Sequence, residues 1–255
     1  MSAGNTPLVL GVVPQLPALE VFQRWSPMGH AIERECGQKV ELRHSASIPA
    51  FEADFSKGTF DLAYMNPYHA VMAQRAQQYV PLVRDDRERL KGVLVVARSS
   101  PYRTPKDLQN QTIAFPSPNA FGASLLMRAT LDRDEGIRFT PNYVKTHSNA
   151  YRHVLTGQAA AAGGVRSTLD REPASLQAEL RVLFETPSFM PHPLSAHPRV
   201  PQAIRDCVQN TVLNSTAALL QAVQMPQPVR ADYARDYAPL ERLSLEAFVV
   251  NAPGP

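Results

Sequence analysis

Residues 112–126 read TIAFPSPNAFGASLL, and the fold follows from this stretch. A short apolar run, Thr112–Phe115, ends in a Pro-Ser-Pro-Asn loop, and a helix start rich in Ala, Gly and Ser follows at once. A strand that passes to a helix within so few residues is the repeating unit of an α/β fold. The first N–H groups of such a helix have no intrahelical acceptor and carry partial positive charge, which suits an anion at the carboxyl end of the strand. Small residues at Ala120, Gly122, Ala123 and Ser124 would let a ligand approach the backbone closely. The same residues would serve equally in a tight strand-to-helix turn that binds nothing.

The alternation continues outward in both directions. Leu8–Val13, Lys39–His44, Phe60–Tyr64, Tyr79–Arg84 and Gly92–Ala97 read as strands before it, and Tyr143–Lys145, Ala159–Ala162 and Arg181–Phe184 after it. Helices are expected over Pro17–Cys36, over Pro49–Lys57 with Gly58 closing it, and over Tyr68–Gln77 behind an Asn66 cap and an N1 proline. Others are expected at Thr104-Pro105, over Phe121–Asp134 closed by Gly136, and from His147-Ser148 to Gly157. Five prolines between Pro187 and Pro201 mark irregular chain, and a final helical region runs from Gln202 to about Val223. Alternating strands and helices predict mostly parallel sheets. The pattern restarts near Ser99 and returns near Pro187, which predicts two lobes, 1–98 with 187–255 and 99–186, the second inserted into the first. Chain crossings near Ala97–Ser100 and Glu185–Pro187 would then form a hinge, with a ligand cleft between sheet ends.

Composition excludes several classes. The chain has 255 residues, 44% hydrophobic and 19% charged, with 26 Lys+Arg against 23 Asp+Glu and a formal net charge of +3. The basic residues are dispersed, so no nucleic-acid patch and no nucleic-acid partner is expected. No run approaches the roughly 18 apolar residues of a membrane span. The start, MSAGNTPLVLGVV, lacks a basic n-region and a long apolar h-region, so it does not read as a signal peptide. Cys36 and Cys207 are far apart and have no CxxC spacing; they would form one disulfide if brought close in space, but read more readily as two isolated buried thiols.

Three helix starts carry the candidate chemistry. At the first, Tyr64 ends a strand, Asn66 caps a helix and Tyr68 sits in its first turn; the tyrosines could wall a pocket and donate O–H bonds, or simply pack on core. At the second, the loop Ser117, Asn119, Ala120, Phe121, Gly122 and Ser124 offers backbone donors. At the third, His147, Ser148 and Tyr151 share a helix start, with His147 and Tyr151 one turn apart. A bound anion would favour protonated His147. Arg166, after Gly163-Gly164, has the fork that pairs with an oxyanion, or it lies on the surface. His192 and His197 have no helical i, i+4 spacing and no acidic or Cys neighbour, so no metal is expected. The chain carries no GxSxG, GxGxxG, P-loop, HExxH or Cys–His signature, which agrees with a binding module that uses no cofactor.

The segments FDLAYMNPYHAV (60–71), IAFPSPNAFGASLLMRATL (113–131), YVKTHSNAYRHV (143–154), AAGGVRSTLD (161–170) and PHPLSAHPRVP (191–201) resemble the PhnD-type substrate-binding proteins of phosphate, phosphite and phosphonate ABC transporters. The resemblance runs in order from about Leu8 to about Leu213. It implies a type II periplasmic-binding-protein fold of two α/β lobes with a hinge and an interlobe ligand cleft. It implies a periplasmic location, with a signal peptide removed, and a monomer that delivers a small oxyanion or small polar solute to an ABC permease. The family's pocket maps onto Tyr64, Asn66, Tyr68, the loop 117–124 and His147. One departure stands out: where phosphonate binders resemble one another in a Ser-Thr-Ser run, this chain has Ala120, Phe121 and Gly122. Each lost hydroxyl would forfeit about 1.5–3 kcal/mol toward a dianion. Alternatives on the same fold are a sensory module that reports to a membrane histidine kinase and an enzyme resembling the thiamine-pyrimidine synthases. The latter carry a cysteine-rich motif that is missing here.

Overall fold

The computed structural model describes residues 6–250; the five residues at each end, both in the expected first lobe, lie outside the described residues. In chain order the strands are β1 (Leu8–Val12), β2 (Val40–Arg43), β3 (Leu62–Tyr64), β4 (Val80–Asp85), β5 (Leu90–Ala97), β6 (Thr112–Phe115), β7 (Thr140–Tyr143), β8 (Ala161–Val165), β9 (Leu180–Phe189), β10 (Pro193–Ala196) and β11 (Pro228–Arg230). The principal helices are α1 (Ala18–Cys36), α2 (Ile48–Ser56), α3 (Pro67–Gln77), α4 (residues 121–134), α5 (His147–Leu155), α6 (Arg166–Leu169), α7 (Ala174–Glu179), α8 (Gln202–Leu213) and α9 (Ala217–Ala222). They make two compact units: residues 6–88 with 190–243, and residues 89–189 with 244–250. The chain therefore passes between units at Glu88/Arg89, at Phe189/Met190 and again at Leu243/Ser244, with the first crossing about ten residues before the expected one. The reason is pairing: β5 bonds to β8 and β9 in the second unit's sheet, and β9 runs on through Phe189.

The first unit holds a six-stranded sheet in the order β11-β4-β10-β3-β1-β2. Trp25, Met28 and Ile32 recur at helical spacing on α1 and are buried, and Gly37 ends that helix in the left-handed region at φ 63°. Phe51, Phe55, Phe60 and His69 form an aromatic cluster, and Phe60 lies over Gly11, where an added Cβ would come within 2.7 Å of the ring. Two readings are corrected here. Pro187–Pro201 is not irregular throughout: β10 fills the middle of the sheet, antiparallel to both β3 and β4. Pro193 is its first residue, where a missing N–H is best tolerated, and its carbonyl accepts from Met65 N–H at 3.1 Å. Cys36 and Cys207 are not isolated thiols: they form a disulfide joining the end of α1 to α8, with Cα atoms 5.8 Å apart.

The second unit holds a five-stranded sheet in the order β7-β6-β8-β5-β9. Successive residues of β5 face opposite ways. Val93 and Val95 pack with Tyr151, Val154 and Leu169, whereas Leu94 and Val96 pack with Met127 and Leu131 of α4. Both faces are covered, which explains why 93–96 is a continuous apolar run. The expectation of mostly parallel sheets is also corrected. β1–β2–β3 and β6–β7–β8 are parallel, but β4, β10 and β11, and likewise β5 and β9, pair antiparallel. Alternation along the sequence registers βαβ units and is blind to strands that return from elsewhere in the chain.

Candidate functional site

In the first unit, β3 delivers Tyr64 to the sheet's carboxyl end and Asn66 starts α3. Asn66 Oδ1 accepts from His69 N–H at 2.8 Å, as an N-cap, and Pro67 fills N1. Behind the cap, His69 Nε2 lies 3.0 Å from Asn66 Nδ2 and 2.9 Å from Glu52 Oε1, all three side chains buried. Tyr68 is buried in the first turn. Tyr64 stacks on His192 at 5.5 Å and tilts against Trp25 at 4.7 Å. His192 Nε2 in turn meets Gln15 Nε2 at 2.6 Å, across 177 residues of sequence. Sequence reading missed Gln15 and Trp25 and weighed His192 only as a metal ligand, because nothing in local spacing joins them to Tyr64. His197 lies elsewhere, edge-on to Tyr79 at 5.1 Å.

In the second unit, parallel β7, β6 and β8 lie side by side, with Phe115 opposite Tyr143 and Ala114 opposite Ala162. Their carboxyl ends therefore bring three chain segments to one sheet edge: the loop into α4, the start of α5 and the turn into α6. α4 opens without a side-chain cap. Its first bonds run from both Ser124 N–H (2.8 Å) and Leu125 N–H (3.1 Å) to Ala120 O, a wide first turn. Thr146 caps α5 by accepting from Asn149 N–H at 3.1 Å.

The small residues here serve helix-on-sheet packing. A Cβ on Gly92 would sit 2.3 Å from Gly122 O, and one on Gly163 would sit 2.0 Å from Ala123 O. A Cβ on Gly122 itself would come within 2.6 Å of Leu90 Cδ2, too close unless that side chain moves. Glycine on both sides of the contact lets the α4 backbone rest on the backbone of β5 and β8. Phe121 packs edge-on to Phe189 at 5.3 Å, and Ser124 is fully buried, accepting from Arg128 Nε at 3.3 Å. Asn119 is buried, and its carboxamide clasps Val250: Nδ2 donates to Val250 O at 2.8 Å and Oδ1 accepts from Val250 N–H at 3.0 Å. Ser117 and Ala120 remain half-buried on the loop.

Around α5 the polar side chains are engaged with one another. Thr168 Oγ1 donates to Val165 O at 2.8 Å, meets Tyr151 Oη at 2.8 Å and lies 3.3 Å from His147 Nδ1. Tyr151 is fully buried, and its hydroxyl fits only because Gly164 has no side chain: a Cβ there would be 2.0 Å away. Burial raises the Tyr151 pKa far above the ordinary phenol range, so it is a neutral donor. Burial, and then the Arg171 charge, push His147 down to about 4, so the ring is neutral at pH 7 and supplies no positive charge. Ser148 Oγ donates to Glu172. Arg166 pairs with Glu185, which also takes Lys91 at 3.0 Å, and those two partners hold the Glu185 carboxyl below its ordinary range.

A search of curated protein sequences found no match. A model of the family described as "ABC transporter, phosphonate, periplasmic substrate-binding protein" matches residues 10–237. Among solved structures, PhnD1 from Prochlorococcus marinus in complex with methylphosphonate superposes with a TM-score of 0.80 at 15% identity, covering 94% of this chain and 97% of that one. A binding-protein component of a phosphonate ABC transporter from Pseudomonas aeruginosa gives 0.79 at 13% identity, covering 97% and 91%. A Xanthomonas citri protein, solved with ATP, gives 0.76 at 15% identity, covering 94% and 96%. These likenesses fix the fold as the two-lobed type II periplasmic-binding architecture.

Proposed function

We propose that this chain, which belongs to the family of periplasmic substrate-binding proteins of phosphonate ABC transporters, captures a small oxyanion and presents it to its permease. The observation that carries the reading within the second unit is the shared edge of β7, β6 and β8. There a helix start at 121 that no side chain caps lies beside the starts at 147 and 166. Backbone N–H groups at such an edge hold an anion without a formal countercharge. With Phe121 and Gly122 given to packing and His147 neutral, the ligand's oxygens meet backbone donors and Ser117 rather than a row of hydroxyls or an imidazolium. On the first unit, Tyr64, His192 and Gln15 form an aromatic and amide cluster of their own.

The disulfide supports an extracytoplasmic setting, since such bonds persist in oxidising compartments. No helix among the described residues is long and apolar enough to cross a membrane. The function involves binding and release, with no bond made or broken in the ligand. A calorimetry and thermal-shift panel of methylphosphonate, aminoethylphosphonate, phosphite, phosphate, sulfate and small organic acids tests it. Binding raises stability by RT ln(1 + [L]/Kd), about 2.7 kcal/mol at a hundredfold excess over Kd. If no oxyanion moves the melting point at millimolar concentration, the oxyanion reading falls.

A further inference from the structure

We propose that the C-terminal segment 244–250 is the positioning element of the loop that leads into α4, acting through Arg128 and Asn119; the proposal rests on the functional reading above. The segment belongs to the second unit although residues 190–243 before it belong to the first. Its Leu245 is fully buried. Two side chains, both more than nine-tenths buried, tie it down. Asn119, within the loop, grips Val250 by donating to its carbonyl and accepting from its N–H. Arg128, two helical turns into α4, reaches back along the helix. Its Nη2 donates to Pro118 O at 2.9 Å and to Phe248 O at 2.7 Å, while its Nε reaches Ser124. One guanidinium thus joins the loop, the first turn of α4 and the tail.

Among the described residues, no carboxylate lies within ion-pairing distance of Arg128. Its charge faces carbonyl dipoles and the ring of Tyr143, 5.9 Å from the guanidinium carbon. Burying a cation in this way is costly, and only the planar five-donor fork can bond three segments at once, so lysine is not equivalent. What the arrangement secures is the loop. Inside it the backbone bond from Ala120 N–H to Ser117 O is long, at 3.4 Å, and α4 has no side-chain cap. The path of residues 116–120, and so the direction in which the following N–H groups point, is set from behind by the tail. Arg128 and Asn119 are positioning residues in this account and need not touch the ligand.

The test uses the full chain and two substitutions. Val250→Pro deletes the N–H that Asn119 accepts and leaves every loop side chain native. Val249 already sits at φ −68°, ψ 127°, a conformation that suits a residue before proline. Arg128→Lys keeps the charge and removes the fork. Calorimetry with methylphosphonate and inorganic phosphate should show Kd raised by about five-fold for Val250→Pro, the equivalent of one lost hydrogen bond, and by more for Arg128→Lys. Hydrogen exchange of amides 117–125 should quicken in both variants without ligand, with exchange in residues 6–88 unchanged. Wild-type affinity with wild-type exchange at 117–125 would overturn the proposal. If the unsubstituted protein binds neither anion, the oxyanion reading fails. The exchange measurement then still judges the tail: quickened amides uphold its positioning role and unchanged ones refute it.

Discussion

Reducing or deleting the Cys36–Cys207 bond should destabilise the first unit by several kcal/mol, and the geometry lets the amount be worked out. The bond closes a loop of 171 residues, for which the chain-entropy relation gives an upper figure of about 5 kcal/mol. That loop contains the second unit's residues 89–189. If the second unit stays folded while the first unfolds, its 101 residues drop out of the fluctuating loop and about 70 remain. Because the dependence is logarithmic, the figure falls only to about 4.4 kcal/mol. The prediction thus barely depends on whether the units unfold together. At about 2–4 °C per kcal/mol for a chain of this size, the double variant Cys36→Ser/Cys207→Ser should melt roughly 10–20 °C lower. Denaturant unfolding of the oxidised, reduced and double-variant proteins is the assay. The reduced protein and the double variant should coincide, both well below the oxidised form. A difference of less than about 1 kcal/mol would refute the entropic reasoning, and two alkylatable thiols in protein purified without reductant would refute the bond itself.

Further outcomes follow from the packing and the buried charges. Gly163→Ala places a methyl 2.0 Å from Ala123 O and should cost the second unit about 1–3 kcal/mol or more in thermal unfolding, because backbone must move. Gly136→Ala meets nothing within 4 Å and should cost only the strain of φ +69°, about 1 kcal/mol. Asp236→Asn strips the buried Arg84 of its fully buried carboxylate partner at 3.1 Å and should lower stability by about 3–5 kcal/mol in urea titration. Burial pushes the Asp236 pKa up, but hydrogen bonds from Arg235, the Asp232 backbone and Arg84 prevail and leave it depressed. Its contribution is therefore present above the unfolded carboxylate pKa of about 3.9 and lost as pH falls through the folded value, a loss that Asp236→Asn should abolish. The His147 ring should titrate near 4 by NMR, and stability from burying it neutral should decline as pH drops from about 6.5 toward 4. A midpoint above 6.5 would remove the claim that it is uncharged in the resting protein.

The fold was legible wherever structure is encoded locally. Asn66-Pro67, Gly37, Gly58 and Gly136 act through the dihedrals and hydrogen bonds of their own neighbourhood, and each ends or begins a helix as read. The long-range features were not legible. β10 looked like proline-rich coil because a strand is recognised by its partners, and its partners β3 and β4 lie over a hundred residues away in sequence. The disulfide joins two cysteines whose spacing says nothing about the approach of α1 to α8. At the site, chemical type was readable and orientation was not. Asn119, Ser148, Tyr151 and Arg166 all carry hydrogen-bonding groups, and the structure engages each with another part of the second unit.

The absence of hydroxyls at Ala120, Phe121 and Gly122 suits the way α4 sits on its sheet. Serine at position 122 would bring its Cβ to 2.6 Å from Leu90 Cδ2 and 3.2 Å from Val165 Cγ1. Gly92 and Gly163 on the strands complete the contact by receiving the carbonyls of Gly122 and Ala123. Restoring a hydroxyl run would therefore require at least Leu90 to move, and the glycines make sense only while α4 stays pressed against β5 and β8. A backbone held that closely gives up side-chain donors and gains rigidity, which is what recognition by N–H groups needs. Their directions cannot adjust as hydroxyl rotors can. On the proposed function, selectivity then depends on how firmly residues 116–124 are held. The residues that hold them, Arg128 and Asn119, lie outside the Ala-Phe-Gly run at 120–122.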